Sequence, residues 1–179
     1  PRPLRRELEE LAAASDADRH VTMLAAPHLL TARAKHQSSP PVERWQAALR
    51  HMIDDDLTAL SLSMHWGDDF FVELRAAASI DARPDVICRR FQQQLADIPS
   101  ALEAHVFQLN VQPYGRALLA RLPAMVRALN RYTRHDTYAG HAVLRAYLPL
   151  PAGHNLLASG ELALVEPTRG TQPLPQLHA

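Results

Sequence analysis

Residues 57–79 read LTALSLSMHWGDDFFVELRAAAS. Leu60, Leu62, Met64 and Trp66 alternate with Ala59, Ser61, Ser63 and His65. Beyond Gly67-Asp68-Asp69, Phe70, Val72, Leu74 and Ala76 alternate with Phe71, Glu73 and Arg75. A strand has period two, so each run puts one apolar row on one face. The two rows share a face only if the runs pair antiparallel. Gly tolerates positive φ and Asp bonds its own backbone, so the three residues between the runs suit a turn. The pattern predicts a β-hairpin with one greasy face covered by helices. Leu60, Leu62, Met64, Val72 and Leu74 are expected to be buried, and Ser61, Ser63, Glu73 and Arg75 more exposed.

Upstream, Leu4, Leu8 and Leu11 fall at i, i+4 and i+7 and predict a short helix over residues 1–14. Arg5 and Arg6 can meet Glu9 and Glu10 across one turn. Residues 21–26 (VTMLAA) read as a strand ended by Pro27, and residues 28–39 as a long loop. Ser39 suits a helix cap with Pro40 at the first position. Val42, Trp45, Leu49, Met52 and Ile53 then line one helical face. Asp54-Asp55-Asp56 sits badly at a helix C-terminus, so it reads as the turn into the hairpin.

Downstream, Pro84 and Asp85 suit the first turn of another helix. Ile87, Phe91, Leu95 and Ile98 continue it. Pro99 is expected to interrupt, with Ser100 restarting a helix that carries Leu102 and Val106. Residues 107–111 fit a helix end or a short strand equally. Gln112-Pro113-Tyr114-Gly115 reads as a loop, followed by helical pieces over 116–121 and 123–133. Residues 141–148 (HAVLRAYL) alternate and read as a strand closed by Pro149. Residues 151–165 read as a helix, although ELALV also fits a strand. Gly153 and Gly160 would share a helical face and permit close backbone approach.

These elements predict an α+β fold, an antiparallel sheet around a central hairpin with helices on one face. The middle of the order resembles a split βαβ (ferredoxin-like) arrangement with extra C-terminal helices, a topology that carries no function by itself. Residues 1–19 form a lead-in helix, from an upstream segment or packed as a first helix, 20–166 a single domain, and 167–179, rich in Pro and Gln, a disordered tail.

The 179 residues suit one domain, and 47% hydrophobic with 21% charged is ordinary for a globular fold. Cys88 is the sole cysteine, which excludes an intrachain disulfide and a cysteine-rich zinc site. Equal numbers of acidic and basic residues, 19 each, argue against bulk attraction to nucleic acid or an anionic membrane. No apolar run is long enough to span a bilayer, and no signal peptide is visible. The leading Pro suggests a piece trimmed from a longer protein. Lys35 is the only lysine among many arginines, which suggests a GC-rich, bacterial genome.

Motifs for phosphate cradles, dinucleotides and serine-hydrolase elbows are missing, and no cofactor is expected. Cys88, beside Arg89 and Arg90 early in a helix, is a nucleophile candidate without an identifiable base; its apolar neighbours favour a buried structural role. Ten histidines form no metal-binding spacing. His65 with Asp68 and Asp69 at the hairpin tip is the tightest constellation, but a turn needs Asp for backbone reasons anyway.

The clearest non-random feature is charge. Residues 116–134 hold five arginines and no acid. Arg127, Arg131 and Arg134, at i, i+4 and i+7, predict one stripe opposite Met125, Val126, Leu129 and Tyr132. The plain reading is a solvated helix face. The sharper one is a partner-binding stripe, with Phe71 on the opposite sheet face either as an outward aromatic beside it or simply lying under a helix. The pattern therefore favours a non-catalytic binding or protein-interaction module over an enzyme, its partner another protein or a second copy of the chain. The rival is a small hydrolase or metal-assisted enzyme using His65, Asp68 and Asp69 with a distant histidine.

Overall fold

The computed structural model describes residues 6–27, 53 and 56–165. The predicted helix over 39–53, except Ile53, the loop over 28–39 before it and the 167–179 tail lie outside the described residues. The elements are α1 (Arg6–Ala14), β1 (Val21–Ala25), β2 (Leu57–Trp66), β3 (Asp69–Ala78), α2 (Pro84–Val106), α3 (Pro113–Leu119), α4 (Leu122–Tyr132), β4 (Thr133–Tyr138), β5 (His141–Pro149) and α5 (Leu150–Val165). The protein is α+β, with one five-stranded sheet ordered β1-β2-β3-β5-β4 and antiparallel at every pairing.

The central hairpin has the register its alternation demands. Leu62 faces Leu74, Met64 faces Val72 and Trp66 faces Phe70, while Ser61 faces Arg75 and Ser63 faces Glu73. The burial ranking is the reverse of the expectation. Ser61, Ser63, Glu73 and Arg75 are buried, whereas Leu60, Leu62, Met64, Val72 and Leu74 are only half-buried. Polar groups tolerate burial when they are paired, and Ser63 and Glu73 are. The Ser63 hydroxyl lies 3.0 Å from that of Ser15 and 3.2 Å from that of Thr22. Glu73 accepts from both Arg75 and Arg145.

Helices lie on both faces. On the polar-row face, Leu11 of α1 is fully buried against Ala59 and Ala77, with Leu8 and Leu24 beside them. The predicted lead-in is thus a packed element, and its Arg6 holds Glu10 at 2.8 Å. On the other face, Ile87, Cys88 and Phe91 of α2 pack on Ala76, Ala142 and Leu144. A second cluster, including Val106, Leu109, Leu119, Leu122, Val126 and Ala163, joins α2 to α5 through α3 and α4.

Several local expectations change. A split βαβ unit needs its first two strands to run the same way, but β1 pairs antiparallel with β2 at the sheet edge. Pro99 does not break α2, which runs through it with Pro99 buried on the packed face. Pro113 opens α3 as an N1 residue instead of marking a loop. Residues 107–111 are neither helix nor regular strand; they form a turn and an isolated bridge. ELALV is helical. Gly153 does meet a neighbour closely, at Phe70, whereas Gly160 has nothing within 4 Å of an added Cβ.

One strand was not foreseen. Thr133–Tyr138 leaves the predicted helix and pairs with β5. Ala139 and Gly140 join the two at φ 50° and 80°. Two central residues at positive φ are the pattern of a type I′ hairpin turn, which prefers Asn-Gly. Alanine is strained there, so Ala139→Asn should raise stability by about 0.5–1 kcal/mol in denaturant melts.

Candidate binding groove

The predicted arginine stripe does not run along one helix. Arg127 and Arg131 are exposed on α4, but Arg134 lies in β4. Helical spacing ends at Tyr132, so the third residue of the stripe obeys a different geometry. Phe71 is buried instead of outward: the Arg19 guanidinium stacks 3.8 Å from its ring centre, and Tyr147 packs beside it at 4.7 Å.

Arg127 borders something the sequence did not reveal. A groove of about 520 Å³ lies between the end of α2, the turn after it, α3 and α4. Val106, Leu109, Ala120, Pro123 and Ala124 supply its apolar lining. Arg116 and Arg127 stand at its polar positions, and Arg127 is ion-paired to Glu103. Phe107, at 81% exposure, also lines it. A phenylalanine this exposed beside an apolar depression is unusual for a surface, where large apolar side chains are normally scattered singly. The groove depends on α2 continuing past Pro99, because Glu103 and Val106 form one wall. The sequence predicts a helix over residues 100–106, but the packing of that segment against α3 and α4, which makes the wall, is not signalled by any local pattern.

The other sequence candidates have structural duties. His65 Nδ1 lies 3.0 Å from the Asp18 carbonyl oxygen, and its ring stacks on His20 at 4.4 Å. His20 Nδ1 accepts the Trp66 amide at 2.9 Å. Asp68 and Asp69 are exposed in the turn, where the Gly67 amide bonds the Asp69 carbonyl. Among the described residues, no group of three His, Cys, Asp or Glu side chains is placed to hold a metal ion.

The fold does bring Cys88, with Asp85 and Arg89 beside it on α2, to a small cleft of about 300 Å³ shared with His135 and Asp136 of the distant β4. Cys88 is buried and its thiol donates to the Asp136 carbonyl at 3.2 Å. Burial pushes the thiol above its ordinary range, with nearby Asp136 and Asp85 charges adding to the rise and backbone hydrogen bonds only partly opposing it. The reactive species is the thiolate, so the folded protein should label slowly with an aromatic disulfide reagent at neutral pH and rapidly once unfolded. Equal rates in the two states would contradict this assignment.

Comparisons of the chain with protein-family models, with curated proteins and with solved structures give no match. No helix among the described residues is long and apolar enough to cross a membrane.

Proposed function

We propose that this chain is a non-catalytic binding domain whose groove between α2, α3 and α4 takes an apolar group carrying a negative charge. The observation that carries this reading is the apolar groove itself, bordered by exposed Phe107 and by Arg116 and Arg127. Its volume lies within the roughly 300–1,000 Å³ range of ligand sites. The Arg116 guanidinium favours a carboxylate or similar planar anion, while Arg127 is already held by Glu103. Exposed ion pairs contribute only about 0–1 kcal/mol each, so apolar burial would supply most of the affinity.

The probe is 1-anilinonaphthalene-8-sulfonate, an apolar ring system with one anionic group. Calorimetric titration should show one saturable site in the folded protein. Ala124→Trp, which fills the groove from an exposed helix position, should abolish it, and Arg116→Glu should weaken it. Undiminished binding to the folded Ala124→Trp variant would refute the reading.

A further inference from the structure

We propose that β4 is a homodimer interface, pairing antiparallel with β4 of a second copy about a two-fold axis at His135. Among the described residues β4 is an edge strand of the sheet, and five of its six residues are exposed. An open edge is a ready template for another strand.

Hydrogen-bond phase selects the register. Tyr138 and His141 close the two-residue turn, so they form the hydrogen-bonded pair of the hairpin. Alternation then turns the backbone groups of Arg134, Asp136 and Tyr138 toward β5, and those of Thr133, His135 and Thr137 toward the open edge. Two copies can pair only through the outward set. With His135 opposite the partner's His135, Thr133 falls opposite the partner's Thr137. Arg134 then falls opposite the partner's Asp136, in a non-hydrogen-bonded position where side chains approach most closely.

The occupant is identified by this self-complementarity. Residues 132–138 read YTRHDTY. About the His135 axis, threonine meets threonine and arginine meets aspartate, twice each. Cross-strand opposite charges and Thr–Thr pairs are among the favourable contacts of antiparallel sheets, and like charges directly opposite are unfavourable. The isologous contact closes on itself, as a two-fold dimer requires.

Two edge amides are already engaged in the single chain. The Thr133 amide bonds the Asn130 carbonyl that ends α4. The Thr137 amide bonds the Asp136 carboxylate at 2.7 Å. On pairing, Asp136 exchanges its own Thr137 amide for the partner's Arg134, and the freed amide meets the partner's Thr133 carbonyl. His135 exchanges both backbone bonds with the partner's His135. The same carboxylate that blunts the edge in the monomer thus supplies the ion pair in the dimer.

The test is sedimentation equilibrium of the full chain from micromolar to millimolar concentration. The wild type should dimerise. Arg134→Asp and Asp136→Arg should each weaken the dimer about tenfold or more, because each places like charges opposite one another. The double exchange Arg134→Asp with Asp136→Arg should restore it, since each new charge again faces its opposite. His135→Pro removes the central edge donor without introducing a charge and should leave a monomer. Circular dichroism verifies that each variant is folded. A wild type monomeric at millimolar concentration, dimerisation unchanged in the single variants, or a folded double exchange that stays monomeric would each overturn the proposal. Pairing of β4 with a strand of another protein would appear as the first of these results. None of the four variants touches the groove between α2 and α4, so sulfonate binding there reads out independently.

Discussion

Replacing Glu73 by glutamine should cost about 3–5 kcal/mol of stability, as expected when one partner of a buried ion pair is removed. Glu73 is 3% exposed, and it accepts from Arg75 Nε and Arg145 Nε at 2.5 Å each. Glutamine keeps the shape and removes the charge. Arg145 is partly exposed and recovers hydration, but the buried Arg75 does not. Most of the loss is therefore the cost of leaving Arg75 uncompensated. Burial pushes the Glu73 carboxyl upward, yet the hydrogen bonds and charges of Arg75 and Arg145 together outweigh it and hold the group below its ordinary value of 4.5. A lowered folded-state pKa stabilises fully above the unfolded value and loses that contribution as pH falls through the folded one. Wild-type stability should decline on acidification below pH 4.5, and the Glu73→Gln variant should show a flatter decline. Denaturant melts across that range measure both. A loss below about 0.5 kcal/mol at neutral pH, the level of an ordinary surface change, would show that the triad contributes little.

The second large effect is expected at Gly153. Helix propensity alone would make Gly153→Ala stabilising by about 1 kcal/mol. Packing reverses the sign. A Cβ there would stand 2.6 Å from Phe70 Cδ1 and closer still to its Cβ and Cγ. Phe70 is 1% exposed and cannot swing into solvent. Overpacking of this kind costs about 1–3 kcal/mol and sometimes more; contact with the root of the ring puts this case at the upper end. Gly160 is the internal control: it lies on the same helix with open space around it. Gly160→Ala should stabilise by about 0.5–1 kcal/mol. Combining Gly153→Ala with Phe70→Ala should cost less than the two changes summed, because truncating the ring removes part of the clash. Equal behaviour of the two glycine variants would mean that α5 does not seat on Phe70.

The local chemistry of the chain determined much of the architecture. Period-two alternation on both sides of Gly67-Asp68-Asp69 specifies the β2–β3 register, because a one-residue slip would put Leu62 opposite Glu73. Pro84 with Asp85, and the spacing of Ile87 and Phe91, mark the start and packed face of α2. Leu8 and Leu11 mark α1. What lay beyond local pattern was which groups would be covered by elements far away in the chain. Ser61, Ser63, Glu73 and Arg75 look solvated by composition, yet α1 covers part of that face and distant Arg145 completes the buried ion group. Pro99 looks like a helix end, but packing of Leu95, Ile98 and Leu102 on the second cluster carries α2 through it. Arg134 looks like the third residue of a helical stripe, but pairing with β5 takes it into a strand. The groove and the open β4 edge both depend on these overrides. Propensity and periodicity act over a few residues, whereas burial and strand pairing are decided by partners dozens of residues away.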